Sequence, residues 1–219
     1  MDSYNDEVLL ARLRSYMKKG ENLGYLGDKR KHLVLEHGYD AKNLAQSFRT
    51  VRKNTIQIAE EIPENQYDFR AAEGTRTVAE TLKHIAVSTG WPMRVHGEHI
   101  TALHIGLFGE VMAATAAAEA KLHTKADILK ALHDNGEQFA TFVEGLSDDV
   151  LAETVAMPPQ ANEPPKTRFE MLLGSKEHEM HHRGQLMLVE RMLGITPHLT
   201  RQMQERMAAL QQQQAAHTA

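Results

Sequence analysis

The 219-residue sequence contains no cysteine and few aromatic residues. Without cysteine, the chain has no disulfides, no thiolate metal ligands and no cysteine nucleophile. Because aromatic residues make up only 5% of the chain, its core must be built from Leu, Ile, Val, Ala and Met, as in helix bundles. No apolar run approaches the roughly 18 residues that a membrane span needs, so we expect no membrane-spanning segment.

The charge balance argues against two kinds of partner. The formal net charge is only -4, and basic and acidic residues are mixed along the chain. This balance gives no reason to expect nucleic acid or an anionic membrane as a partner. The start, MDSYNDEVLL, lacks the basic segment and apolar run of a secretory signal, so we expect a cytoplasmic protein.

Four long segments repeat apolar residues at helical spacing and have helix-terminal signals. Asp40 is the expected N-cap of the first segment. Thr124 with Asp127, and Thr167 with Glu170, have the spacing of capping boxes. The predicted helices are residues 41–62, 77–91, 125–146 and 168–194.

The rest of the chain is assigned around these helices. Residues 1–39 are interpreted as an N-terminal helical extension, and residues 201–219 as a short C-terminal helix with a frayed tail. Residues 40–200 between them form the predicted bundle domain. Within it, residues 94–123 are interpreted as a broken helix or a loop with a short helix, and the proline-rich residues 147–168 as a surface connection. Because no alternating strand pattern is present, the predicted fold is all-α: an antiparallel four-helix bundle with these two additions.

The segment KEHEMHHRGQL, residues 176–186, suggests a metal site. His178 and His182 lie about 40° apart around a helix and about 6 Å apart along its axis, so both imidazoles can meet one ion. With 13 histidines, chance alone gives about 0.8 pairs at this spacing, so a pair of surface or core-edge histidines is the plain alternative. However, the two histidines share a stripe with Leu172 and Leu186 that should face the bundle interior, where unsatisfied ring nitrogens cost free energy.

A metal ion needs a third ligand, and His84 is the best candidate because apolar residues surround it in its own helix. We therefore predict that His84, His178 and His182 bind one divalent transition metal. Neutral imidazole suits zinc, nickel, copper or iron(II). Three histidines in the segment after Pro92 are interpreted instead as loop histidines: His96, His99 and His104.

The same segment fits the zinc-protease signature H-E-x-x-H, with Glu179 as the general base. The longer form of that motif is absent, because Gln185 and Leu188 occupy its glycine and third-histidine positions. A ligand from Glu205 could in principle complete the site. A zinc protease also needs a sheet beside this helix, and none is predicted. Glu179, about 100° from His178 around the helix, is either an acid at the edge of the site or a solvent-facing residue, and we expect it to face solvent.

Four neighbouring residues receive separate predictions. His181 is either a donor or substrate contact at the site, or an exposed histidine. Arg183 is predicted to pair with a carboxylate on a neighbouring helix. Gly184, which costs about 1 kcal/mol relative to alanine in mid-helix, is expected to allow close approach of another helix. Trp91, the only tryptophan, is expected to pack in the core or at the end of the bundle.

Two segments taken together resemble the DinB/YfiT-like family of bacterial four-helix metal-binding proteins. TVAETLKHIA is followed about a hundred residues later by HEMHHRGQLMLVERMLGITP, and the loop EIPENQYDFRAAEGTRTVAE is also similar to the family's pattern. That pattern has one histidine in the second bundle helix and a His-x-x-x-His pair in the fourth, followed by Arg-Gly-Gln. The corresponding residues here are His84, His178 and His182. The resemblance covers roughly residues 40–200.

The resemblance implies a bundle of up-down-down-up topology with a three-histidine site open to solvent or substrate. It also implies zinc or nickel as the metal, with iron as a further possibility, and it favours a homodimer. It points to two enzyme classes acting on a small molecule: metal-dependent hydrolases and thiol-dependent transferases. A transferase would need a low-molecular-weight thiol, because the chain has no cysteine. The alternative is a non-catalytic metal-binding or stress-related bundle whose metal is structural.

Overall fold

The structure is a computed structural model that describes residues 39–218, with side chains described through residue 215. The predicted N-terminal extension, residues 1–39, therefore lies almost wholly outside the described residues. The α-helices are α1 Ala41–Glu61, α2 Val78–Ser88, α3 Gly90–Gly97, α4 Ile105–Glu119, α5 Lys125–Glu144, α6 Asp148–Ala152, α7 Arg168–Met192 and α8 His198–Thr218. Short 3-10 turns occupy Glu64–Gln66 and Pro159–Ala161. Strands β1 Thr154–Val155 and β2 Lys166–Thr167 form a two-stranded antiparallel sheet.

Helices α1, α2, α5 and α7 form the predicted four-helix bundle. The main apolar cluster joins all four helices through Ile58, Leu82, Leu132 and Leu186, each at most 1% exposed. A second cluster around Phe48 and the residues packed on it fills the other end of the bundle. The fold is therefore all-α apart from the small sheet, because the sequence supplies leucine, isoleucine and alanine at helical spacing.

Contacts between the helices establish their directions. The Lys125 ammonium, at the start of α5, donates to the Glu60 carbonyl at the end of α1, so these two helices are antiparallel. Helices α1 and α7 are parallel, because the Lys176 ammonium lies 3.3 Å from the Ser47 hydroxyl, and Arg52, further along α1, contacts Glu179, further along α7. Helix α2 runs antiparallel to α7, since its start lies beside Gln185 and its end beside Gly174. The topology is up-down-down-up.

The caps predicted for α5 and α7 lie at the starts of those helices. Thr124 and Asp127 form a reciprocal capping box at the start of α5. Thr167 accepts a hydrogen bond from the Glu170 backbone N–H at the start of α7, which is one half of the predicted box. After α7, Gly194 has a positive φ of 77°, a conformation that ends helices and suits glycine. Local chemistry therefore sets these ends.

The other segments differ in part from the predictions. The second helix stops at Ser88, three residues before its predicted end, and Pro92 lies in the first turn of α3, where its missing N–H breaks no helical hydrogen bond. Residues 94–123 are a helix interrupted at residues 98–104, as one of the two interpretations has it, but the second part is not short: it is the 15-residue helix α4, which packs against α2 beside His84. The C-terminal helix is not short: α8 begins at His198, before residue 201, and continues for 21 residues.

The proline-rich connection also contains more structure than predicted, since it includes α6, β1 and β2. The predicted domain limits at residues 39 and 200 stay a prediction. None of the described helices has both the length and the apolar run needed to cross a bilayer.

Candidate metal centre

The structure brings the three predicted ligands together. His178 and His182 project from successive turns of α7 toward His84 on α2. Nε2 of His84 lies 3.1 Å from Nε2 of His178, and Nε2 of His182 lies 3.2 Å from that same atom. In the described part of the chain, this is the one group of three potential ligand side chains whose donor atoms lie within 4.8 Å of one another.

The spacing of these nitrogens fits a metal ion. Zinc–nitrogen bonds of about 2.0–2.1 Å at tetrahedral angles place two ligand nitrogens about 3.3 Å apart. The observed distances of 3.1 and 3.2 Å are close to that value. The same separations also suit a hydrogen bond from a proton on Nε2 of His178 to either neighbouring Nε2 atom.

Two neighbouring oxygens orient two of the rings. Nδ1 of His84 lies 3.3 Å from a Glu119 carboxylate oxygen, and Nδ1 of His182 lies 2.8 Å from the Gln185 side-chain oxygen. A carboxylate or amide oxygen accepts a hydrogen bond, so both Nδ1 atoms carry the proton and both Nε2 atoms present lone pairs. The Nε2 atom of His178 faces both of these lone pairs. This arrangement of lone pairs, each backed by an oxygen acceptor on the far ring nitrogen, is typical of histidine metal ligands.

The three imidazoles are also neutral at physiological pH. Burial lowers the pKa of His84 to about 4, and the positive charge of Arg76 and the neighbouring His182 lower it too. Burial likewise lowers the pKa of His178 to about 4, together with the neighbouring histidines. The pKa of His182 is lowered by burial, although its contact with Gln185 opposes the change. Neutral imidazole is the form that binds a metal.

Sequence reasoning missed Glu119, the residue that orients His84. Glu119 is the last residue of α4, in the segment interpreted as a broken helix. The alanine-rich run before it is a strong helix former, and this was the available signal. Nothing local, however, indicates that this helix end packs beside His84.

The prediction that Glu179 faces solvent is wrong. Its side chain is 1% exposed, and both of its oxygens accept hydrogen bonds from Nε of Arg52, at 2.9 and 3.0 Å. The Arg52 guanidinium also donates to the backbone carbonyls of Leu132 and Ile85, at 2.6 and 3.3 Å. Arg52 on α1 therefore contacts α7, α5 and α2 at once. Two of the residues it contacts, Ile85 and Glu179, directly follow His84 and His178 in the sequence.

This pairing removes the basis of the protease alternative. The carboxylate that would act as general base is buried in an ion pair with Arg52. Glu205, the conceivable further ligand, is exposed on α8 and is not part of the histidine cluster. The described residues contain a single two-stranded sheet, between β1 and β2, and its strands are two residues long.

The other histidines of the α3–α4 region have structural positions. His96 is not a loop residue, because it lies in α3, is buried, and contacts the Arg168 guanidinium at 3.2 Å. His104 is the N-cap of α4, and its Nδ1 accepts a hydrogen bond from the Leu107 N–H. His99 has a positive φ of 50° in the turn between the two helices.

The separate predictions for the four neighbours have mixed outcomes. His181 is exposed and lies 3.2 Å from the Gln185 amide nitrogen. Arg183 makes no ion pair with any described residue, contrary to prediction. The explanation for Gly184 is also wrong, because a Cβ at this position would have no neighbour within 4 Å. Trp91 packs edge-on against Phe108 and also lines a cavity beside the histidines.

Two cavities adjoin the three histidines. The α4 cavity, of about 440 Å³, lies between α2, α4 and α7 and is lined in part by His84 and His178. The loop cavity, of about 640 Å³, lies beside the loop before α2 and is lined in part by His182. Arg76 lines both cavities. Both volumes are within the range of small-molecule sites.

Comparison with known proteins agrees with the fold. The chain is similar in structure to a DinB-like protein, YjoA, from Bacillus subtilis, with a TM-score of 0.53 and 23% sequence identity. That similarity covers 70% of this chain and 93% of the Bacillus protein. No curated protein matches the sequence. The sequence model of the DinB superfamily matches residues 47–186, which include all three histidines. The chain therefore belongs to the DinB superfamily.

Proposed function

We propose that the protein binds one divalent transition metal through His84, His178 and His182 and acts as a metal-dependent enzyme on a small molecule. The observation that carries the proposal is the convergence of three Nε2 atoms, two of them on rings oriented by Glu119 and Gln185. Zinc and nickel are the preferred ions, and iron(II) also suits imidazole ligands.

The surroundings of the site favour catalysis over a structural role. Structural zinc sites are closed by four protein ligands, whereas catalytic sites keep an open position. No fourth imidazole or carboxylate from the described residues joins the three histidines, and both cavities reach them. When bound by three neutral imidazoles, a divalent ion supplies Lewis acidity that lowers the pKa of a water or thiol in its open position.

The residues of the chain itself would prepare this chemistry. Glu119 and Gln185 hold the imidazoles of His84 and His182 in one tautomer, and Arg52 with Glu179 fixes α1, α2, α5 and α7 relative to one another. The apolar side chains of the α4 cavity exclude water from a bound substrate. Two reactions suit this arrangement: hydrolysis, and transfer of a low-molecular-weight thiol that must come from outside the chain, which has no cysteine.

Metal content tests the first part of the proposal. Protein prepared without a histidine tag should carry about one zinc or nickel ion per chain, measured by elemental analysis, and His178→Ala should carry almost none. His133→Ala is the matched control, because His133 is exposed on α5, away from the site. Equal metal content in wild type and His178→Ala would refute the assignment.

Ligand binding tests the second part. Glutathione, mycothiol and bacillithiol can be screened for a metal-dependent increase in melting temperature, with the His178→Ala protein as control. A metal-dependent shift supports the transferase, and hydrolysis becomes the better assignment if no thiol has an effect. A structure of the metal-bound protein with four protein ligands would instead support the non-catalytic, structural or stress-related alternative.

We further propose that the protein works in the cytoplasm on a small-molecule substrate, without nucleic acid or membrane partners. The support is the modest, mixed charge of the sequence.

A further inference from the structure

Arg76 is the one cationic side chain that lines both cavities. It lies in the loop directly before α2, one residue before the N-cap Thr77, and its side chain is exposed. Within residues 39–215 the guanidinium makes no hydrogen bond and no ion pair. Its charge acts on all three histidines, since it contributes to the lowered pKa of His84, His178 and His182.

Three other arginines of the described residues provide a contrast. Arg49 pairs with Glu137 and Glu144, Arg52 pairs with Glu179, and Arg94 pairs with Glu110. In those cases a carboxylate of the chain already forms an ion pair with the guanidinium. At Arg76 the planar set of donors remains available to a carboxylate from a ligand, which it suits in a two-hydrogen-bond geometry.

Much of the wall of the α4 cavity is apolar. Trp91, Phe108, Met112 and Met171 contribute to it. Phe108 and Met112 are 58% and 53% exposed, and both line this cavity, so apolar surface that is open to solvent borders it. Exposed apolar surface of this kind, bordered by polar residues, marks binding sites.

Glu119 is the acidic residue of this cavity, and one of its carboxylate oxygens lies 3.3 Å from Nδ1 of His84. A second negative charge placed beside Glu119 would be repelled, whereas the same charge placed at Arg76 would be attracted. The electrostatics of the cavity therefore set the direction in which an anionic ligand can lie.

We propose that Arg76 is the anion-binding residue of this site and that the substrate is a small organic carboxylate with an apolar body. The carboxylate binds Arg76, and the apolar body lies in the α4 cavity against Trp91 and Phe108, so that its reactive part is presented to the three histidines. This inference rests on the proposed function, because it names the substrate class of the same centre.

Binding of three ligands of one shape tests the inference. They are 4-phenylbutyrate, its neutral amide and 4-phenylbutylamine. Affinities are measured by titration calorimetry on the full chain, in the zinc-loaded and the chelator-treated forms. Trp91 is the only tryptophan, so its fluorescence reports whether a ligand enters the α4 cavity.

The wild-type protein should bind the carboxylate about tenfold more tightly than the amide, and the amine most weakly. Arg76→Gln should abolish this preference, and Arg76→Lys should retain part of it. Phe108→Ala should weaken the carboxylate and the amide by similar factors. Arg206→Gln, at an exposed arginine on α8 that lines neither cavity, is the matched control and should behave as wild type.

Several outcomes overturn the inference. They are a carboxylate preference that survives Arg76→Gln, equal affinity of the wild type for carboxylate and amide, tighter binding of the amine, and absence of saturable binding by the carboxylate. A preference seen only with zinc and kept by Arg76→Gln would assign the carboxylate to the metal ion instead. Because the chelator-treated protein is measured too, the result is independent of the metal-content experiment.

Discussion

Replacing Glu179 by alanine removes one partner of the buried ion pair beside the histidine cluster. The Arg52 side chain is 4% exposed and the Glu179 side chain 1% exposed. Without Glu179, the guanidinium keeps its two backbone carbonyl acceptors but loses the carboxylate that balances its charge. Alanine also leaves a space that water would have to fill.

The expected effect is large. Removing one partner of a buried ion pair typically costs about 3–5 kcal/mol, because the other charge is left uncompensated. That is a substantial share of the roughly 5–15 kcal/mol by which most domains are stable. For a protein of this size, the melting temperature should fall by about 6–20 °C. Replacing both partners, as Arg52→Met with Glu179→Leu, should cost less than Glu179→Ala alone, since no buried charge remains.

Chemical denaturation followed by circular dichroism measures these differences. Glu177→Ala is the matched control, because Glu177 is exposed two residues earlier on the same helix and should change stability by less than about 0.5 kcal/mol. A cost below about 1 kcal/mol for Glu179→Ala would refute the buried pairing with Arg52. If that variant instead kept its stability and lost catalysis, Glu179 would be a general base, as the protease motif requires.

Three further predictions concern glycines, a buried carboxylate and assembly. Gly136→Ala should destabilise the protein by about 1–2 kcal/mol, because the new Cβ would lie 2.8 Å from the Arg52 side chain. Gly184→Ala should stabilise it by up to about 1 kcal/mol, because alanine favours the helix and its Cβ would have no neighbour within 4 Å. Equal denaturation midpoints for the two variants would contradict this prediction. Burial and the negative charge of Glu61 raise the pKa of Glu190 to about 7, and neither Glu190 oxygen has a hydrogen-bond partner among the residues that the structure describes. This folded-state pKa lies above the unfolded value, so the stability that Glu190 contributes is present at low pH and is lost as the pH rises toward 7. Glu190→Gln should therefore be more stable than wild type by about 1–3 kcal/mol at pH 8, and the difference should shrink toward pH 5. The protein should be a homodimer, and light scattering that shows a monomer at micromolar concentration would remove that prediction.

The successful sequence predictions concern features determined within one helix. The limits of α1, α5 and α7 follow from apolar periodicity, and the starts of α5 and α7 also from caps that contact residues only three positions away. The i, i+4 spacing of His178 and His182 likewise places both on the same side of α7 in any fold that keeps the helix. Helical geometry is regular, so these relations could be derived from residue numbers.

The wrong predictions for α7 concern surfaces that a second or third neighbouring helix covers in the bundle. Glu179 lies about 100° from His178 around α7, and a charged residue there was expected to meet water. In the bundle, α7 packs against both α1 and α2, so its buried arc is wide enough to include both residues. The same uncertainty about neighbours led to the wrong interpretations of Arg183 and Gly184.

The local sequence was therefore sufficient for the all-α fold, for the histidine pair at residues 178 and 182, and, with the family resemblance, for the choice of His84. The three-dimensional arrangement was needed for Glu119 beside His84, for Arg52 beside Glu179, and for the position of Arg76 at both cavities. The physical reason is that helical geometry relates only residues three or four positions apart. Glu119 is 35 positions from His84, Arg52 is 127 positions from Glu179, and Arg76 lies on a loop. Their proximity depends on how whole helices pack, which is determined by apolar contacts summed over the entire bundle.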